Sequence, residues 1–142
     1  MTAAAAGDLA PALTTVRLGL HVLAATVWVG GQVVLVGLLP TGRRLGPDAP
    51  RALATAFARL SWPAYGVLLA TGAWNVAPVD PVSEDVAWQA VLWTKVALVV
   101  AAGAAAYLHA RARSRAALAV WGTVAGLGSI AALFMGILLA GP

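Results

Sequence analysis

The sequence predicts an all-α membrane protein, a bundle of four transmembrane helices with both termini outside the cytoplasm. Three observations predict it. Hydrophobic residues make up 61% of the 142 positions and charged residues only 10%, where an ordinary soluble domain is about a quarter charged. The apolar residues gather into four runs, each as long as the roughly 20 residues that cross a bilayer. The arginines gather into two short clusters between those runs, as they do in cytoplasmic loops.

The first run covers residues 13–40 and is interrupted by Arg17, His21 and Gln32. It exceeds the roughly 7–15 residues of a signal-peptide core, so it reads as a retained helix. The second run, 52–75, carries Arg59 in its first turns and Pro63, whose missing N–H predicts a bend. The third, 86–109, carries Lys95, and the fourth, 117–140, has no charge. Together they form one membrane domain, residues 1–142.

Arg43, Arg44 and Arg51 separate the first two runs, and Arg111, Arg113 and Arg115 the last two. The connection between the second and third has Asp80, Glu84 and Asp85 with no Lys or Arg, and the N-terminal stretch has only Asp8. Placing both basic loops in the cytoplasm puts both termini outside. The net charge of +4 is thereby explained without nucleic acid, which is not an expected partner. Pro78 and Pro81 mark the outer loop as a turn. Gly122 and Gly126 on the fourth run, with Gly30, Gly31 and Gly37 on the first, predict close helix approach.

The absence of cysteine excludes disulfides and thiolate metal sites. A metal ligand here must be His, Met or oxygen. No Gly-rich phosphate loop or HExxH motif occurs, and no carboxylate falls inside a span, which argues against a proton-coupled carrier. No hydrolase or kinase constellation is visible.

Ionisable side chains in hydrocarbon cost roughly 2.5–3.5 kcal/mol on insertion scales, so each requires a reason. Long stems let Arg17 and Arg59 reach the headgroups, and Trp62, Trp74, Trp88 and Trp93 are expected near the outer interface as anchors. His109 ends the third helix at the cytoplasmic side. His21 and Lys95 lie deeper, about 10 and 13 Å below the outer ends of their helices at 1.5 Å per residue. Met135 enters the same layer from the fourth helix. On the first helix, Arg17, His21, Trp28 and Gln32 share a stripe. Tyr65 and Asn75 mark a polar face on the second helix, and Trp88 stands one heptad from Lys95 on the third. A polar pocket follows, lined by Arg17, Trp28, Gln32, Tyr65, Asn75 and Trp88 around His21 and Lys95. Imidazole and thioether suit copper, so His21 and Met135 are the candidate metal ligands. His21 also suits a haem iron, with Lys95 holding a propionate.

The string His21-Val22-Leu23-Ala24-Ala25-Thr26-Val27-Trp28-Val29-Gly30-Gly31 resembles the opening helix of the copper resistance protein D (CopD) family. Phe57-Ala58-Arg59-Leu60-Ser61, with Leu69-Ala70-Thr71-Gly72-Ala73-Trp74-Asn75 after it, is similar to that family's second helix. Leu92-Trp93-Thr94-Lys95-Val96-Ala97-Leu98 is similar to its lysine-bearing third. The resemblance covers roughly residues 17–110. It implies a bacterial inner-membrane protein of copper transport or homeostasis, with a periplasmic copper protein as a partner. No Met-rich or His-rich outer segment is present in this chain.

A second resemblance, to the HemJ-type protoporphyrinogen oxidases, rests on His21, Trp28 and Lys95 and implies haem b. It departs at Leu39-Pro40-Thr41-Gly42-Arg43-Arg44, where that family has Leu-Pro-Arg, aromatic residues and a second His. The remaining reading is a non-catalytic accessory subunit, in a homo-oligomer or a larger membrane complex, packed through its glycine faces.

Overall fold

The computed structural model describes residues 11–141; Asp8, used in the topology argument, lies outside them. Four helices make up nearly all of this stretch: α1 (Ala12–Leu45), α2 (Ala49–Val76), α3 (Val86–Arg111) and α4 (Arg115–Ala140). Each expected span falls within one of them, and no strand occurs among the described residues.

Local chemistry sets the helix boundaries. Asp85 caps α3 by accepting from the Trp88 backbone N–H at 2.7 Å, and Ser114 caps α4 by accepting from Ala117 at 3.1 Å. α1 stops at Gly46, whose φ of 146° suits a residue without a Cβ. Between α2 and α3, Asp80 accepts from the Val82 and Ser83 backbones through its side chain and carbonyl, which makes the expected turn. α2 continues through Pro63 as one helix.

α1, α3 and α4 are each long and apolar enough to cross a membrane. α2 matches them in length, at about 42 Å, but Arg51, Arg59, Ser61, Thr71 and Asn75 dilute its apolar character. It is not one of the three.

The helices pair as two antiparallel hairpins, α1 with α2 and α3 with α4, the second packed more closely. α3 and α4 pack closely at Gly128, where an added Cβ would lie 3.5 Å from the Ala102 side chain and 3.8 Å from the Leu98 carbonyl. The expected Gly122 and Gly126 step serves differently: Gly122 underlies the His109 ring, and Gly126 faces Gln32.

The hairpins meet at a π-helical turn in α1, Thr26–Gly30, that carries Trp28. Trp28 is buried against Tyr65 at 4.5 Å and Trp62 at 5.6 Å between ring centroids. Trp62 therefore belongs to a mid-bundle aromatic cluster and not to the rim, as its position about 18 Å along α2 from Trp74 requires. The Tyr65 hydroxyl donates to the Val99 carbonyl of α3 at 2.9 Å, and its ring occupies the space that a side chain at Gly103 would need.

The π turn inserts an extra residue, which rotates the rest of α1 by about 100°. The single polar stripe expected on α1 is thereby split. Arg17 and His21 bond to α2, whereas Trp28 and Gln32 bond to Ser129 on α4.

Candidate functional site

The site is built from rungs between α1 and α2 at the end of the bundle nearest the α2–α3 loop. On the deeper rung, His21 Nδ1 lies 2.9 Å from the Thr71 hydroxyl. The Thr71 hydroxyl also stands 2.7 Å from the Val67 carbonyl and 3.3 Å from that of Leu68; carbonyls only accept, so with its proton directed to them its oxygen accepts and Nδ1–H donates. That pattern assigns the tautomer. The lone pair is left on Nε2. Gly72 gives the ring its room, since a Cβ there would stand 3.5 Å from Cε1.

One turn toward the loop, Arg17 Nη1 donates to the Trp74 carbonyl at 3.3 Å. Arg17 Nε and Asn75 Oδ1 are buried beside this bond with no hydrogen-bond partner. Buried polar atoms are seldom left so.

Lys95 comes from α3. Its ammonium lies 3.0 Å from where a Cβ of Gly136 would be. Glycine at that point of α4 leaves the lysine its space. None of the four helices carries an Asp or Glu, so neither Lys95 nor Arg17 has a carboxylate within the bundle. Met135, half-buried, is the chain neighbour of Gly136.

Of the expected site residues, Arg17, His21, Asn75 and Lys95 thus gather toward one end. Trp28, Gln32 and Tyr65 form a separate middle layer. There Ser129 Oγ accepts from Trp28 Nε1 at 2.9 Å and from Gln32 Nε2 at 3.3 Å, and Gln32 also donates to the Trp28 carbonyl. Trp88 stands in the first turn of α3. His109 is exposed at the opposite end, where Nδ1 donates to the Leu118 carbonyl at 2.9 Å, and Arg111 lies over the Tyr107 ring at 4.4 Å.

Reasoning from sequence missed Thr71, Ser129 and Gly136. Thr71 and Ser129 did leave a signal, as small hydroxyls in otherwise apolar runs. Gly136 left none, because only the lysine's position gives it meaning.

Chemically, the site offers one imidazole lone pair, two basic groups and no acid. The described residues contain no group of three or more His, Cys, Asp or Glu able to hold a metal ion. No protein-family model, curated protein or solved structure matches the chain. Fold and site together define an all-helical protein, with three helices fit to cross a membrane, that places Arg17, His21 and Lys95 toward the α2–α3 loop end of its bundle.

Proposed function

We propose that this chain is a four-span protein of the bacterial cytoplasmic membrane, with both termini outside, that handles copper in the manner of the CopD proteins it resembles. α2 is the fourth span. Its buried Ser61 and Thr71 and its half-buried Tyr65 face other helices, and Arg51 and Arg59 lie toward its basic-loop end. Both arginine loops stand at one end of the bundle and the acidic loop at the other, as positive-inside topology requires. The cluster around His21 then lies in the outer half.

The observation that carries the reading is the His21 ring, fixed by Thr71 so that Nε2 keeps its lone pair. Copper is the cargo and not a resident cofactor. A single imidazole, with the thioether of Met135 on α4, is a weak and soft ligand set, and a transport path requires weak sites that release what they bind. Lys95 opposes residence of a second cation.

A second reading, haem b binding, is favoured by one specific observation: Arg17, His21 and Lys95 all stand in the half of the bundle toward the α2–α3 loop, with no carboxylate on any helix. His21 would hold the iron, and Lys95 and Arg17 would meet the propionates. When bound, it would supply one-electron redox chemistry.

The test is an ultraviolet–visible spectrum with metal analysis on the detergent-purified protein and on His21→Ala. Copper taken up on incubation with Cu(I), or a Soret band on incubation with haemin, that disappears in the variant is the expected result, and it identifies the ligand. A colourless, metal-free protein after incubation with Cu(I) and haemin would overturn both readings in favour of an accessory subunit.

A further inference from the structure

Below the π turn, α1 and α4 part. They leave an open groove of about 490 Å³, walled by Val29, Val33 and Val36 on one side and Ala119, Gly126 and Leu127 on the other. Its α4 wall, residues 119–130, is about 16 Å long at 1.5 Å per residue. One leaflet's hydrocarbon is about 15 Å deep, half of a core about 30 Å thick.

The groove leads toward the basic end of the bundle. Arg43 is one heptad beyond Val36 on α1, and Arg115 is one turn before Ala119 on α4, so each continues the face that lines the groove. Both are exposed. Arginines in this position attract anionic headgroups.

We propose that this groove binds one anionic phospholipid, an acyl chain between α1 and α4 and its phosphate between Arg43 and Arg115. Charge argues against a second copy in the same orientation, which would bring its own arginine loops against the exposed Arg43 and Arg115, whereas an anionic headgroup complements them.

The test uses the full chain, delipidated in detergent and titrated by native mass spectrometry with dioleoyl phosphatidylglycerol and with dioleoyl phosphatidylcholine. Wild type is expected to prefer the anionic lipid. In Gly126→Leu the side chain grows into the groove, because a Cβ there meets only Gln32 Oε1 at 4.0 Å. Binding of both lipids should then weaken about tenfold or more, by loss of buried apolar area. Arg43→Gln with Arg115→Gln should remove the preference, about fivefold per arginine, and leave phosphatidylcholine unchanged. Should Gly126→Leu fail to fold, Thr123→Leu, an exposed position in the same groove, gives the same readout.

Equal binding of the two lipids by wild type, or wild-type binding by the filled variants, would overturn the proposal. So would a wild-type dimer that Gly126→Leu dissociates without change in lipid binding, which would assign the groove to self-association.

Discussion

The middle of the bundle and its α2–α3 end both hold polar side chains among apolar helices, but they use them in opposite ways. In the middle, Trp28, Gln32, Tyr65 and Ser129 spend their hydrogen bonds on one another and on the Val99 and Trp28 carbonyls, and the rings pack at 4.5–5.8 Å. At the end, Arg17 Nε and Asn75 Oδ1 are buried unpaired, His21 keeps a free lone pair, and Lys95 has no carboxylate on any helix. Satisfied polar groups hold helices together, whereas unsatisfied ones require a ligand or a reason. The middle layer therefore joins the two hairpins, and the end layer is the candidate ligand site.

Substitutions should separate these roles. Trp28→Ala removes the largest buried ring and one bond to Ser129, so it should destabilise the protein by about 3–5 kcal/mol, read as a lowered unfolding midpoint in detergent. A wild-type midpoint would mean that the hairpins do not depend on this layer. Gly103→Val drives a side chain into the Tyr65 ring and should cost about 1–3 kcal/mol. The Tyr65→Phe background should reduce that cost little, because the clash involves the ring as well as the hydroxyl. Ser129→Ala leaves Trp28 Nε1 without its acceptor for about 1 kcal/mol, within the range of measured membrane hydrogen bonds. It should leave ligand binding unchanged, and a binding defect would merge the two layers into one.

The helices were legible in the sequence because their signal is additive. Some 20 apolar residues in a row, bounded by arginines or by Pro and Asp, identify a span whatever packs beside it. The places of His21 and Lys95 along α1 and α3 were legible for the same reason, since rise per residue is fixed. The π turn was not. Nothing in Thr26-Val27-Trp28-Val29-Gly30 marks an extra residue, yet it turns Trp28 and Gln32 away from His21 and divides one expected pocket into two layers. The glycines misled for a related reason. Gly122 and Gly126 match a helix-packing motif, but what a glycine admits depends on the side chain opposite, which is His109 for one and Gln32 for the other.

The most direct test of the end layer is to titrate wild type, His21→Ala and Lys95→Met with Cu(I) and with haemin while following each protein's unfolding midpoint. Loss of the lysine charge should leave the fold intact or stabilise it by about 1 kcal/mol, because an unpaired charge in the bilayer is costly. It should shift the two ligands in opposite directions, strengthening a bound cation and weakening an anionic porphyrin, while His21→Ala abolishes whichever binds. Wild-type binding of either ligand by both variants, or unfolding of the protein by Lys95→Met, would contradict a ligand site at this end, because the end layer would then be structural like the middle one.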